Sequence, residues 1–380
     1  MERSVFWLAS AIVLYVYVGY PLFLIILSFF KKEKKEGEEE GKIYPPVALI
    51  ISVYNEEKVI EEKIKNTLTL NYPEDMLEIV LVSDGSEDRT NEIIRNYSSK
   101  FDNIKLYVVK PHLGKNIALN KILPLISSEI IIFSDANSMY EKDSIKRLVR
   151  YFADDKIGCV IGELRYINKD GDKFNFDRGE GLYWKYESTI KRLESRLSSV
   201  LVANGSIFAI KRELYSVLEP DMANDFQIPM EIGNKGYKIV YEPEAVAYEK
   251  SATTSHEEFE RKLRIINRGW MIFLKLHRKI NGLRLFEFIS HKLLRWLVGI
   301  FLILIFLSNI FLTDYPFYMT TFLLQLVFYG MAVIGIFFTK YKVFYLPFYF
   351  CLINFASLIA LFNFLRGKRY ITWKSASTTR

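Results

Sequence analysis

Cysteine is almost missing from this 380-residue chain, with Cys159 and Cys351 its only two. Two thiols support neither a disulfide framework nor a thiolate metal site. The four histidines, His112, His256, His277 and His291, fall at no metal-ligand spacing, which argues against a zinc enzyme. No glycine-rich P-loop and no internal repeat occurs. Long hydrophobic runs, by contrast, are plentiful.

Four such runs stand out: Val5–Phe30, Leu293–Leu312, Phe317–Phe338 and Val343–Leu365. At about 1.5 Å per helical residue each reaches across a ~30 Å hydrocarbon core. The first has no small-residue cleavage site and exceeds a signal-peptide core, so a retained anchor is expected. Tyr15, Tyr17 and Tyr20 in its middle are expected to face protein instead of lipid. The net charge of +7 is uneven. Lys31 to Glu40 is a mixed-charge run suited to a solvated linker. The basic excess collects before the second run, at Arg261, Lys262, Arg264, Arg268, Lys275, Arg278, Lys279, Arg284, Lys292 and Arg295, with apolar residues interleaved as in an amphipathic interfacial helix. That placement, with no nucleic-acid motif beside it, favours lipid headgroups and pyrophosphates as partners. The positive-inside rule puts residues 32 to 292 in the cytosol. Three carboxyl-terminal crossings would then carry Arg366, Lys368, Arg369, Lys374 and Arg380 outside, against that rule. Either the tail is an exception or one segment lies along the interface.

Two blocks of aliphatic residues break abruptly into Ser-Asp: Val80-Leu81-Val82-Ser83-Asp84-Gly85-Ser86 and Ile131-Ile132-Phe133-Ser134-Asp135-Ala136-Asn137. Such runs suit strands buried on both faces of a parallel sheet, and ligands gather at the carboxyl ends of those strands. An acid at two strand ends offers one acceptor for a base or ribose and one for a metal holding phosphates, a nucleotide-diphosphate site. Strands are expected at Val47–Val53, Leu77–Val82, Ile104–Val109 and Glu129–Phe133, with helices from Tyr54 to about Leu70, at Asp88–Tyr97 and at Lys115–Leu125. The alternation predicts an α/β fold, a mixed and mainly parallel sheet with flanking helices. Later strands are expected at Gly158–Leu164, Ser206–Ile210, Lys238–Tyr241 and Ala245–Tyr248, with a helix over Gly181–Leu197 and another over Phe226–Gly233.

Four segments occur in order: Pro46 to Glu56 (PVALIISVYNE), Val82 to Thr90 (VSDGSEDRT), His112 to Asn120 (HLGKNIALN) and Asp135-Ala136-Asn137. Together they resemble the inverting family 2 glycosyltransferases of GT-A fold, in particular membrane-embedded synthases of the cellulose, hyaluronan, chitin and poly-N-acetylglucosamine types. The resemblance covers roughly residues 45 to 285. It implies a 1–30 transmembrane anchor, a 31–44 linker, a 45–260 cytosolic catalytic domain, 261–292 interfacial helices, 293–365 with three hydrophobic segments, and a 366–380 basic tail.

The resemblance also assigns roles. Glu56, Asp84, Lys115, Asp135 and Arg264 would bind the donor, with UDP the family's usual nucleotide. Asp135 matches the first acid of the DxD metal motif, and Asn137 stands where the second is expected, so Mg²⁺ or Mn²⁺ would arrive with the sugar nucleotide. Asp225, in Met222-Ala223-Asn224-Asp225-Phe226, matches the general base, while its acidic neighbour is replaced by Asn224. Asn204 and Gly205 lie on the acceptor side. Arg261-Lys262-Leu263-Arg264-Ile265 aligns with the QxxRW motif but keeps only the Arg; Trp270 is the candidate replacement for the missing acceptor platform. That departure favours adding one or a few sugars to a lipid-linked acceptor over processive synthesis, for which four hydrophobic segments form a slim conduit unless copies associate. A sugar-nucleotide pyrophosphorylase would need a basic glycine-rich loop where acidic Tyr54-Asn55-Glu56-Glu57 stands. A non-catalytic membrane scaffold is disfavoured by the intact Asp84, Asp135, Asp225 and Arg264.

Overall fold

The computed structural model describes residues 1–31, 44–167, 179–197, 200–250, 254–280, 282–338 and 341–370. The charged linker, apart from its ends, and tail residues 371–380 lie outside the described residues.

One eight-stranded sheet organises the chain between the first and second hydrophobic helices, in the order β3-β2-β1-β4-β7-β6-β8-β5. Its strands are β1 (Val47–Val53), β2 (Leu77–Asp84), β3 (Ile104–Val109), β4 (Ile130–Asp135), β5 (Met139–Tyr140), β6 (Ile157–Ile167), β7 (Phe208–Lys211) and β8 (Lys238–Lys250). The first four pair parallel, β7 is antiparallel to both β4 and β6, and β6 pairs parallel with β8. Every residue of β1 is buried. Its odd-numbered side chains join Ile60, Ile64, Ile145 and Leu148 on one face, and Ala48 and Ile50 join Ala118, Leu119, Ile228 and Ile232 on the other. The period-two pleat thus turns one continuous apolar run into two cores.

The helices between α1 (Glu2–Phe29) and the second apolar helix are α2 (Ile60–Leu68), α3 (Thr90–Ser98), α4 (Lys115–Ile122), α5 (Ser144–Val149), α6 (Gly179–Leu197), α7 (Asn224–Asn234) and α8 (Ser255–Leu276). Two details differ from the sequence expectation. The helix after β1 starts at Ile60 and not at Tyr54. Backbone N–H groups of Asn55, Glu56 and Glu57 are taken by Ser86 Oγ, Thr90 Oγ1 and Asp88 Oδ2, which holds 54–59 as a loop. The two late strands are one, β8; a register shift against β6 after Gly162 absorbs Pro243, Glu244 and Ala245.

Among the described residues four helices are long and apolar enough to cross a membrane: α1 (Glu2–Phe29), α9 (Gly282–Ile310), α10 (Pro316–Phe337) and α11 (Lys342–Leu365). α9 begins at Gly282, so the segment expected at the interface up to Lys292 is continuous with the apolar run. The three α1 tyrosines do face protein. Tyr15 Oη pairs with Ser290 Oγ at 2.8 Å, Tyr20 Oη donates to Glu194 Oε1 at 2.9 Å, and the Tyr17 ring meets Phe350 at 5.6 Å.

α11 lies alongside the amphipathic α8, both running the same way. Tyr349 Oη donates to Glu258 Oε1 at 3.1 Å, Phe355 meets Phe259, Asn267 Nδ2 donates to the Ala360 carbonyl at 3.4 Å, and Phe364 stacks on Trp270. Beyond α11 the chain stays on α8: Asn267 Nδ2 donates to the Lys368 carbonyl at 3.3 Å and Arg268 Nε to that of Tyr370 at 2.7 Å.

Candidate active site

The strand ends place the site. Ser52 of β1 is in register with Asp135 of β4, and Val53 with Ser83 of β2, so the loops after β1, β2 and β4 open on one crevice. A cleft there is lined by Ser52, Val53, Tyr54, Val82, Asp84, His112, Lys115 and Ala118. The His112 ring lies flat on Tyr54, centroids 3.8 Å apart and 13° from parallel.

Asp84 builds this cleft more than it faces it. Its Oδ1 accepts from the Leu113 N–H at 3.0 Å and its Oδ2 from the Gly114 N–H at 2.8 Å, with His112 Nδ1 2.9 Å from Oδ2. The approach requires glycine at two positions. Gly85 and Gly114 have φ of +73° and +103°, and a Cβ on Gly85 would stand 2.9 Å from the His112 nitrogen. Glu56, expected at the donor, is fully buried and does not line the cleft.

Lys115, at the start of α4, donates to Asp135 Oδ1 at 2.7 Å, with both side chains less than a fifth exposed. Asn137 stands two residues on, half-buried in the turn before β5. Beneath that turn is Lys63, fully buried; its Nζ donates to Ser134 Oγ at 2.8 Å and to the Ser138 carbonyl, and lies 4.2 Å from the Tyr140 ring centre. Burial pushes the Lys63 amine down to about 7 against the pull of Asp135 and Glu249.

Asp225 opens α7 beside the same crevice. A Cβ on Gly205 would lie 3.3 Å from Asp225 Oδ2 and 3.7 Å from Asp135 Oδ2, so the two carboxylates flank one bare stretch of backbone. Burial raises the Asp225 carboxyl above its ordinary value; Asp135 adds to the rise, while Lys115, Arg268 and Lys191 oppose it. Asn204 is buried, its Nδ2 donating to the Gly162 carbonyl at 2.5 Å. Arg264 projects from α8 within electrostatic reach of Asp135; burial, with Arg268 and Arg261 as like-charged neighbours, lowers it to about 10. Arg261, at the position of the motif's glutamine, is instead a fork on Glu258, through Nε at 2.7 Å and Nη2 at 2.8 Å.

Trp270 is not brought to the site. Its ring is buried among Phe273, Trp296 and Phe364, with no free face for a sugar, while Ile265 is half exposed. The reason is helical geometry: five residues beyond Ile265 is about 140° round α8, toward α11 and away from the crevice. Sequence reasoning also passed over Tyr54, His112, Lys63, Lys191 and Arg268. Tyr54 and His112 stood inside quoted motifs and Arg268 inside the basic excess, whereas the two lysines carry no local signal.

Among the described residues no cluster of three or more His, Cys, Asp or Glu side chains is placed to hold a metal. Asp135 and Asn137 do offer hard oxygen ligands beside Lys115 and Arg264. This donor set fits a divalent cation only when a diphosphate supplies further oxygens.

A mixed, mostly parallel sheet with carboxylates at its strand ends and flanking helices defines a GT-A nucleotide-diphospho-sugar transferase fold. Residues 48–218 match the family model described as Glycosyl transferase family 2, which gives the chain a family 2 glycosyltransferase domain. It is 28% identical over 332 residues to YdaM, a probable glycosyltransferase of Bacillus subtilis, covering 82% of this chain and 78% of that one. It is 24% identical over 277 residues to the poly-beta-1,6-N-acetyl-D-glucosamine synthase of Staphylococcus epidermidis, covering 72% of this chain and 64% of the synthase. In three dimensions it resembles the mannosyltransferase PcManGT of Pyrobaculum calidifontis, solved with GDP-Man and Mn²⁺. That match has a TM-score of 0.74 at 21% identity and covers 97% of this chain and 100% of that one.

Proposed function

We propose that this protein transfers a sugar, with inversion, from a nucleoside-diphosphate sugar to a lipid-linked or glycan acceptor at a membrane surface. The observation that carries the proposal is the convergence of half-buried Asp225 and cation-paired Asp135 on Gly205. Asp225 takes the proton of an acceptor hydroxyl as that oxygen bonds the anomeric carbon. The bond from that carbon to the diphosphate breaks, and the departing charge meets Lys115 and Arg264. Asp135 and Asn137 would hold Mg²⁺ or Mn²⁺, which when bound supplies charge neutralisation to the diphosphate. Support comes from the donor and ion held by the mannosyltransferase of the same fold. Release of nucleoside diphosphate from a panel of UDP- and GDP-sugars tests the proposal. Silence across the panel with membranes present would leave a scaffold.

Transfer of one or a few sugars is the preferred product pattern, since Ile265 offers no π-face and Trp270 is buried away from the crevice. Kinship to a polysaccharide synthase favours the second reading, processive extension. Long chains formed while most acceptor stays unused would decide for that reading.

The basic excess before α9 supports a cytosolic catalytic domain, with the amino terminus outside. α1, α9 and α10 cross, while α11 rests in the interface against α8. The side-by-side packing of α11 on α8 supports this, as does the return of residues 368–370 to Asn267 and Arg268. Arg366, Lys368 and Arg369 then lie on the cytosolic side, in keeping with the positive-inside rule. Membrane-impermeant thiol labelling of intact cells checks it. A cysteine introduced at exposed Lys100 or Arg366 should stay unlabelled; labelling at Arg366 alone would restore a crossing for α11.

A further inference from the structure

The wall opposite Asp135 is held from behind by a side chain outside every motif. Lys191 of α6 is buried, and its Nζ donates to Asn204 Oδ1 at 2.6 Å. Asn204 is pinned on its other side, Nδ2 to the Gly162 carbonyl of β6. Its two chain neighbours both bear on Asp225. The Ala203 N–H donates to the Asp225 carbonyl at 2.7 Å, and Gly205 lies against the Asp225 carboxylate.

We propose that Lys191 is a positioning residue for glycosyl transfer: through Asn204 it fixes the 203–205 segment against Asp225 and so sets where the acceptor hydroxyl stands. This rests on the reading of Asp225 as the base.

A leucine at 191 would fill the space but could not choose the orientation of the Asn204 amide. An ammonium fixes it, because only the amide oxygen can accept. Burying that ammonium is costly without compensation. Glu163, Glu187 and Asp225 supply attraction, and Lys292 opposes it. One helical turn earlier on α6, Glu187 meets Arg295, Lys292 at 3.3 Å and His291 Nε2 at 3.4 Å, all on α9. Glu194, one turn later, meets His291 Nδ1 at 2.7 Å and Tyr20 of α1. The α6 face that carries Lys191 is thereby clamped to two apolar helices. The acceptor wall takes its position from the membrane helices, where a lipid-linked acceptor would arrive.

The test uses the full-length protein in lipid nanodiscs, with nucleoside-diphosphate release from UDP-glucose, UDP-N-acetylglucosamine and GDP-mannose, and binding of Mn²⁺ with UDP or GDP. Misplacing a reacting group by ~1 Å costs on the order of 10²-fold. Lys191→Met should therefore lower turnover about 10–100-fold with nucleotide affinity within about twofold of wild type, and Lys191→Arg should restore most of it. Asn204→Ala, which cuts the same tether and leaves the lysine, should lose turnover alike. Normal turnover in Lys191→Met, or parallel loss of nucleotide affinity and turnover in both tether variants, overturns the inference. If Asp225→Asn turns over normally, the base assignment itself is wrong; if Asp225→Asn is inactive and Lys191→Met normal, only the role of Lys191 falls.

Discussion

Lys115 Nζ and Asp135 Oδ1 are joined at 2.7 Å across the crevice, in a pair that is mostly but not wholly buried. Under the proposed function each partner would have a second use when a sugar nucleotide enters, the ammonium for a phosphate oxygen and the carboxylate for a cation, so the pair would be exchanged on binding. A charge-assisted hydrogen bond is worth ~1.5–3 kcal/mol. Lys115→Met should therefore weaken binding of the Mn²⁺-nucleoside diphosphate on the order of 10–100-fold by calorimetry. Asp135→Ala should reproduce the effect of chelator. Full activity in excess chelator would remove the metal from the mechanism.

Asp225→Asn keeps shape and hydrogen-bonding groups but cannot take a proton. Loss of a positioned base typically costs ~10²–10⁴-fold in rate, with donor affinity close to normal. Burial raises the Asp225 carboxyl, and the competent base is its ionised form. Turnover should rise with pH through that elevated value, so the acid limb of the rate profile lies above the range of an exposed aspartate. The limb should vanish from the residual activity of the Asn variant. An unchanged limb there assigns it to another group.

Gly205→Ala tests the shared space between the carboxylates. Its methyl group would meet Asp225 Oδ2 at 3.3 Å and Asp135 Oδ2 at 3.7 Å. We expect transfer to fall at least about tenfold, with smaller effect on nucleotide binding, since even a single methyl group intrudes where the acceptor must approach. Wild-type steady-state kinetics would show that the acceptor enters elsewhere.

Trp270 should behave as a packing residue. Trp270→Ala removes a ring held by Phe273, Trp296 and Phe364 and should cost ~3–5 kcal/mol of stability. In detergent this would appear as a lowered melting temperature. Trp270→Phe should fold and transfer sugar at near wild-type rates; selective loss of acceptor affinity in that variant would return Trp270 to the site.

Much of the donor side was legible in the chain because its signals are local. A buried parallel strand must be apolar on both faces, so β1, β2 and β4 announce themselves, and the acids that end β2 and β4 follow directly. The start of the helix after β1 was not legible. Its displacement to Ile60 comes from side chains of Ser86, Thr90 and Asp88, some thirty positions on, which claim the backbone of 55–57.

Sequence alone determined the α/β class, the four apolar helices, the order of the donor motifs and the presence of Asp135 and Asp225, because each depends on spacing within a few residues. Tertiary structure alone decided that Asp84 shapes the His112–Lys115 loop, that Glu56 and Trp270 are buried, and that α11 runs along α8. It alone brought Lys63 under Asp135 and Lys191 behind Asn204. Charges from separate helices meet at one buried point only after the sheet is assembled, and a distance that spans so many residues leaves no trace in local pattern.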